Sequence, residues 1–279
     1  MVLIITALMI EAKPIIRHFK LKKDMTLHAY PVFRNGETAL IVGGTGKVKS
    51  AMAAVYLFSL YGSDKRDILI NIGFCGSSSN LYSPGSLLAV NRVSDMDTGM
   101  DYYPDIFWGR ELPKKALCCY SRPVRRSDLK TGSEVFCDME SAGIMEAARK
   151  FAYAHQTAIV KVISDDLTPD NLDKKLLEGY MEKHMPCLEQ IINELKQLGH
   201  HCDKLVLDEE KRVLDAISRD LRFTEAMKQM LFKEIKKAKQ QGAEPLDILK
   251  PHEGIIVNSK NEGKISFEKI IGELKQKDV

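Results

Sequence analysis

Residues 67 to 76 read Asp-Ile-Leu-Ile-Asn-Ile-Gly-Phe-Cys-Gly, a nearly unbroken apolar run that ends among glycines. Such a run lacks the alternation of a half-exposed strand, so it fits a strand buried on both faces, as in a parallel sheet. The expectation is a strand over Asp67–Ile72 and then a loop, Gly73-Phe74-Cys75-Gly76, whose glycines let a flat ligand lie against the backbone. Working outward, the same grammar repeats. Val2–Leu8 is a second buried run, followed by a helix from Glu11 with Pro14 in its first turn. Thr38–Val42 is a strand that ends in Gly43-Gly44-Thr45-Gly46. Lys47–Tyr61 follows as a helix, with Val48, Ala51, Met52, Val55 and Phe58 at helical spacing. Further strands are read at Leu87–Val93, Ala116–Tyr120, Glu134–Met139 and Thr157–Ile163, and further helices at Glu140–His155 and Asn171–Leu198.

Strands alternating with helices indicate an α/β fold, a three-layer, mostly parallel or mixed sheet flanked by helices. Ligands in such sheets bind beyond the carboxyl ends of the strands. That rule gathers Glu11, Gly43–Gly46, Gly73–Gly76, Glu140 and Asp165 around one cleft. After Gly199 the alternation stops. Asp208–Asp220 and Arg222–Gln241 read as charged amphipathic helices, Gly254–Asn258 as a short strand and Ser266–Lys277 as a final helix. The chain is therefore expected to divide into an α/β domain, 1–200, and a small, mainly helical C-terminal domain, 201–279.

Bulk properties narrow the function classes. Across 279 residues the formal net charge is only +3, which gives no electrostatic footprint for nucleic acid. No apolar stretch reaches the roughly 18–20 residues of a membrane span. The apolar start, Val2–Ile10, lacks the basic flank and cleavage pattern of a signal peptide. The six cysteines, Cys75, Cys118, Cys119, Cys137, Cys187 and Cys202, show no CxxC spacing and read as reduced thiols, most of them in apolar strands. A soluble cytoplasmic protein is expected. His200-His201-Cys202 is read as a linker rather than a metal site, and neither a metal nor a cofactor is expected.

Taken singly, the polar residues at the strand ends have plain structural readings. Glu11 and Glu140 are acids of the kind favoured in the first turn of a helix, and Asp165 and Asp166 can shape a turn. Gly44-Thr45-Gly46-Lys47-Val48 fails both common nucleotide patterns, because Lys49 stands where a third glycine is needed and Val48 where a P-loop needs Ser or Thr. What remains is a tight turn, or backbone N–H groups at a helix start that can hold an anion or a water. The combination is more telling: three acid-bearing strand ends and two glycine segments in one chain.

The ordered set Ala7-Leu8-Met9-Ile10-Glu11, Gly43-Gly44-Thr45-Gly46-Lys47, Asn71-Ile72-Gly73-Phe74-Cys75-Gly76, Asp138-Met139-Glu140-Ser141 and Ile163-Ser164-Asp165 resembles the nucleoside phosphorylase superfamily. Within it the chain is most similar to methylthioadenosine/S-adenosylhomocysteine nucleosidases, over roughly residues 1 to 198. The resemblance implies hydrolysis of the N-glycosidic bond of a purine nucleoside. In it Glu11 would activate a water, Glu140 would accept the ribose hydroxyls, Gly46 would be a further substrate-binding residue, and Met139 would pack on the sugar. Asp165, oriented by Ser164, would donate a proton toward purine N7, and the backbone at Phe74, Cys75 and Gly76 would face the base. A homo-oligomer, commonly a dimer, is also implied.

The chain departs from the family pattern at several points. Phe74 and Cys75 replace small residues, the segment between Tyr120 and Met139 is short, Lys161 stands in place of a common arginine, and Asp165 is doubled by Asp166. A phosphorylase is the alternative reaction, with Arg122, Arg125, Arg126 or Lys47 as phosphate contacts, although the arginines read first as a solvated basic loop. A non-catalytic nucleoside-binding or regulatory protein is the third reading. The C-terminal helices leave open docking to an unidentified protein, to another subunit, or back over the site.

Overall fold

The computed structural model describes residues 1–62, 67–130, 132, 134–168, 173–203, 208–240 and 243–276. They divide into two compact units, Met1–Gly199 and His200–Val279.

In the first unit the strands are β1 (Val2–Thr6), β2 (Lys22–Lys23), β3 (Val32–Arg34), β4 (Thr38–Val42), β5 (Ile68–Ser77), β6 (Leu87–Asp95), β7 (Asp101–Tyr102), β8 (Lys114–Cys119), β9 (Phe136–Asp138) and β10 (Thr157–Asp165). The helices are α1 (Met9–His18), α2 (Lys47–Tyr61), α3 (Ser141–Phe151), α4 (Lys174–Glu182) and α5 (Met185–Asp203). At the centre β4, β1, β5 and β10 run parallel. Alternate residues of the central strands enter two different cores. Leu3, Ile5 and Leu69 pack with Ala53, Leu57 and Ile144 of α2 and α3. Ile4, Ile70 and Ile72 pack with Ala12, Ile15, Leu188 and Ile191 of α1 and α5. This is the helix–sheet–helix layering expected of a sheet buried on both faces.

The sheet is more closed than the alternation of elements implies. β6 is antiparallel to β10, β8 is parallel to β6, and β9 is parallel to β8 and antiparallel to β5. The pairings β5–β10–β6–β8–β9–β5 thus return to their origin. β5 makes this possible because it does not stop at Ile72. Its pairing with β1 ends at Asn71, and its pairing with β9 begins at Gly76. The segment Gly73–Gly76, expected as a loop, is therefore strand, and its glycines let β5 change partner.

Other elements also differ from expectation. α1 starts at Met9, so Pro14 lies inside the helix rather than in its first turn. The long helix is broken into α4 and α5, with Pro186 in the first turn of α5, where its missing N–H costs no hydrogen bond. On α2 the buried residues are Ser50, Ala53, Ala54, Leu57 and Phe58, whereas Val48, Met52 and Val55 are exposed. The inward side combines Leu57 and Phe58 with small residues, which stand where the approach is closest. A Cβ on Gly43 would stand 2.7 Å from Ala53, and one on Gly143 would stand 2.0 Å from the Lys47 carbonyl oxygen.

The second unit contains α6 (Asp208–Asp220), α7 (Glu225–Gln240), α8 (Pro245–Leu249) and α9 (Lys260–Gln276). Val213, Ile217, Leu221, Leu231, Ile235, Leu249 and Ile270 form its core. Gly254–Asn258 is not a strand, since no neighbouring strand is there to pair with it among the described residues. α9 starts ahead of the expected Ser266, where the Ser259 hydroxyl accepts the Glu262 N–H at 3.2 Å. The backbone of α5 continues through 200–203, and the side chains of His200, His201 and Cys202 lie outside the described residues.

The α2–α3 contact gives a test of the packing. Gly143→Ala is expected to destabilise the protein by about 1–3 kcal/mol through overpacking against the Lys47 backbone, read as a lower urea midpoint with an unchanged slope.

Candidate active site

Four local features converge where the strands end. They are the start of α1, the partner change in β5, the start of α3, and a bulge in β10 between Ile163 and Asp165. A bulge re-aims the side chain beside it, and here that side chain is Asp165. A cleft of about 190 Å³ results, lined by Glu11, Phe74, Cys75, Gly76, Met139, Glu140, Ser164 and Asp165 among others. It is smaller than the roughly 300–1,000 Å³ of sites for drug-sized ligands and suits a small, flat one.

Glu11 occupies the third position of α1 and is 3% exposed. Its Oε2 accepts the N–H groups of Ala7 and Leu8, both at 2.8 Å, and its Oε1 accepts that of Phe74 at 2.9 Å. The carboxylate lies over Gly73, where a Cβ would come within 2.9 Å of Oε1, so this position needs glycine. Burial raises the pKa of Glu11 above the ordinary value, against the lowering effect of the Leu8 and Phe74 N–H groups and of the Lys161 charge.

Glu140 is the N-cap residue of α3. Its Oε1 accepts the Gly46 N–H at 2.9 Å and its Oε2 that of Met139 at 3.3 Å. Burial raises its pKa too, opposed first by Lys161. Gly46, with φ of 107°, is thus a glycine by necessity. The helix-start amide expected to hold an anion is occupied by a carboxylate of the protein itself, and Gly46 is not among the residues lining the cleft.

The Asp165–Asp166 doublet separates cleanly. Asp165 lines the cleft; its Oδ1 accepts the Leu167 N–H at 2.8 Å and its Oδ2 accepts the Ser164 hydroxyl. The Ser164 hydroxyl also lies 3.1 Å from the Cys75 carbonyl oxygen. Asp166 is exposed and bonded to the Thr168 hydroxyl, which lowers its pKa. Of the two, Asp165 alone is among the residues lining the cleft.

The basic residues divide as well. Lys47 is held by Asp95, at 2.6 Å, and by Asp97. Arg125 and Arg126 are not among the lining residues; Arg122 is, with Pro123 and Val124, and it is exposed, as expected of a solvated basic loop. Two backbone bonds hold this rim, Tyr120 N–H to the Asp138 carbonyl at 2.9 Å and Arg126 N–H to the Leu167 carbonyl at 3.1 Å. Burial pushes the Cys137 thiol up to about 12 and raises that of Cys75, so both lining cysteines stay protonated and do not act as nucleophiles.

Sequence reading missed the pair beneath this cleft. Lys161 Nζ lies 2.9 Å from Asp138 Oδ2, with side-chain exposures of 1% and 0%. The available signal was a lysine in the middle of an otherwise apolar strand, a position that demands a buried partner. Among the described residues no group of three or more His, Cys, Asp or Glu side chains could hold a metal ion. No helix among them is long and apolar enough to cross a membrane.

No protein-family model and no curated protein sequence matches the chain. Solved structures do. The Helicobacter pylori methylthioadenosine nucleosidase, solved as a mutant with 5′-methylthioadenosine in the active site, superposes with a TM-score of 0.55 at 16% identity, over 69% of this chain and 98% of that one. The Arabidopsis thaliana 5′-methylthioadenosine nucleosidase gives a TM-score of 0.56 at 15% identity, over 70% of this chain and 95% of that one. The Helicobacter pylori futalosine hydrolase gives 0.54 at 16% identity, over 69% and 97%. The chain shares the fold of these nucleoside hydrolases.

The burial of Glu11 has a measurable consequence. Its folded-state pKa is raised above the ordinary 4.5, so the native state holds this proton to higher pH than the unfolded chain does. The stability it contributes is full below pH 4.5 and is lost as pH rises through the folded value. Urea unfolding between about pH 4 and 8 is therefore expected to show the stability difference between wild type and Glu11→Gln moving steadily against the wild type as pH rises.

Proposed function

We propose that the first unit is a purine nucleosidase, in which Glu11, Glu140 and Asp165 break the bond between ribose and base and water is the nucleophile. The convergence of these three carboxyl groups on one cleft, from α1, the start of α3 and the end of β10, carries this reading. Gly76 and Phe74 beside Asp165 form the base side, while Met139 and Glu140 form the sugar side.

The chemistry follows from the charges. Departure of the base leaves an oxocarbenium-like sugar, as in glycoside hydrolysis. Asp165 delivers a proton to purine N7 as the C1′–N9 bond breaks and its electron pair passes into the base. Water attacks C1′ and gives a proton to Glu11, whose raised pKa makes it a better base than a solvent-exposed glutamate. Glu140 accepts the ribose hydroxyls and stabilises the cationic sugar. The products are free purine and a free ribose derivative.

Of the cations named as phosphate contacts, Arg122 alone lines the cleft, at its exposed rim. Lys47 is held by two aspartates and Lys161 by Asp138, so neither offers a free charge to phosphate at the Glu11 end. The fold shared with nucleosidases supports a 5′-substituted adenosine such as methylthioadenosine or S-adenosylhomocysteine as substrate. The exposed apolar face of α2, Val48, Met52 and Val55, supports assembly with a second copy. We read the protein as cytoplasmic, with residues 201–279 as a separate, mainly helical domain.

Incubation with methylthioadenosine, S-adenosylhomocysteine, adenosine and inosine is expected to release free base at a rate unchanged by phosphate. Asp165→Asn and Glu11→Gln should each lower kcat/KM by about 10²–10⁴-fold, while Asp166→Asn leaves it near wild type. A strict requirement for phosphate would replace the hydrolase with a phosphorylase, and inertness toward all four nucleosides would leave the binding-protein reading.

A further inference from the structure

Lys161 is the one buried lysine or arginine among the described residues, and the reaction above assigns it no step. It stands in the middle of β10, paired in register with Gly73 of β5. Directly paired residues in a sheet project their side chains from the same face, and Gly73 projects none. The space over Gly73 is filled by the Glu11 carboxylate, so Lys161 runs alongside Glu11. It is not among the residues lining the cleft.

A buried ammonium requires a partner, and Asp138 alone would satisfy that need. Asp138 Oδ2 accepts Lys161 Nζ at 2.9 Å and the Ser141 N–H at 2.9 Å, while its Oδ1 accepts the Ser141 hydroxyl at 2.7 Å. Yet more than one carboxylate surrounds the ammonium. The groups that face Lys161 are Asp138 from β9, Glu140 at the start of α3, Glu11 from α1 and the neutral Cys75 thiol from β5. Burial by itself would lower the Lys161 pKa; Asp138 and Glu140 more than offset that and keep it protonated. At Glu140 the attraction of Lys161 opposes the repulsion of Asp138.

We propose that Lys161 is a positioning residue: clamped by Asp138, its ammonium holds the carboxyl groups of Glu11 and Glu140 seated on their backbone donors. The catalytic use of those two glutamates rests on the nucleosidase reading, but the charge arrangement does not. An ion pair that served only to fill space, without acting on the glutamates, would leave their titration unmoved whichever partner was removed. An ion pair that acts on them would not, because loss of the cation and loss of the anion displace the neighbouring carboxylates in opposite directions.

The experiment is a carboxyl ¹³C NMR titration of Glu11 and Glu140 in the full chain, for wild type, Lys161→Met, Lys161→Arg and Asp138→Asn, alongside the pH profile of kcat/KM. Lys161→Met is expected to raise both glutamate pKa values by about one unit or more and to move the acid limb of kcat/KM upward with them. At a fixed pH on that limb, activity should fall about tenfold per unit. Asp138→Asn should move both downward, and Lys161→Arg should leave both near wild type. Equal or same-direction movement in Lys161→Met and Asp138→Asn overturns the proposal. If Lys161→Met does not fold, the absence of a downward shift in Asp138→Asn overturns it equally. A wild type that releases no base from any nucleoside refutes the nucleosidase reading instead, while the NMR titration still decides the role of Lys161.

Discussion

The structure depends on how carboxylates are kept in a place that water barely reaches. A buried carboxylate needs hydrogen-bond donors to replace its hydration, and here the donors are main-chain amides at the ends of strands and the starts of helices. Ala7, Leu8 and Phe74 hold Glu11, Gly46 and Met139 hold Glu140, and Leu167 holds Asp165. Each acid is thereby tied to two distant parts of the chain or to a distorted turn. The site is as rigid as the sheet that supplies it.

That arrangement makes demands on the residues around it. Gly73 must lack a side chain because the Glu11 carboxylate occupies the volume above it, and Gly46 must adopt a left-handed φ to point its amide at Glu140. β5 must extend past Ile72 so that Phe74 can donate to Glu11 and Gly76 can pair with Cys137. The closure of the sheet through β9 and the assembly of the cleft are therefore one event. The strand that completes the ring is followed, within two residues, by the acid that caps α3.

Much of this was legible in the sequence because it follows from local rules. Thr38–Val42 and Lys47–Tyr61 have the expected bounds, and Glu11, Glu140 and Asp165 stand where strand-end acids of an α/β sheet should. What was not legible depends on distant pairing. Gly73–Gly76 has loop composition, yet it is strand because β9 and β10 supply partners from 60 and more residues away. The apolar spacing of Val48, Met52 and Val55 marks a real face of α2, but the buried face is another, which combines Leu57 and Phe58 with small residues where the approach is closest. Lys161 was visible only as an oddity, and Asp138 as one letter of a motif. Their pairing needs the fold.

The electrostatics of the cleft also bear on which nucleophile it can accept. Phosphate brings its own negative charge and is held elsewhere by free guanidinium or ammonium groups. At the Glu11 end of this cleft the nearest ammonium already faces Asp138, Glu140 and Glu11, and all are buried. An added anion there would repel the carboxylates of both glutamates and raise their pKa. Water adds no charge and accepts direction from a carboxylate. Under the nucleosidase reading proposed above, the three carboxyl groups that line the cleft would supply the negative charge that an oxocarbenium-like sugar needs.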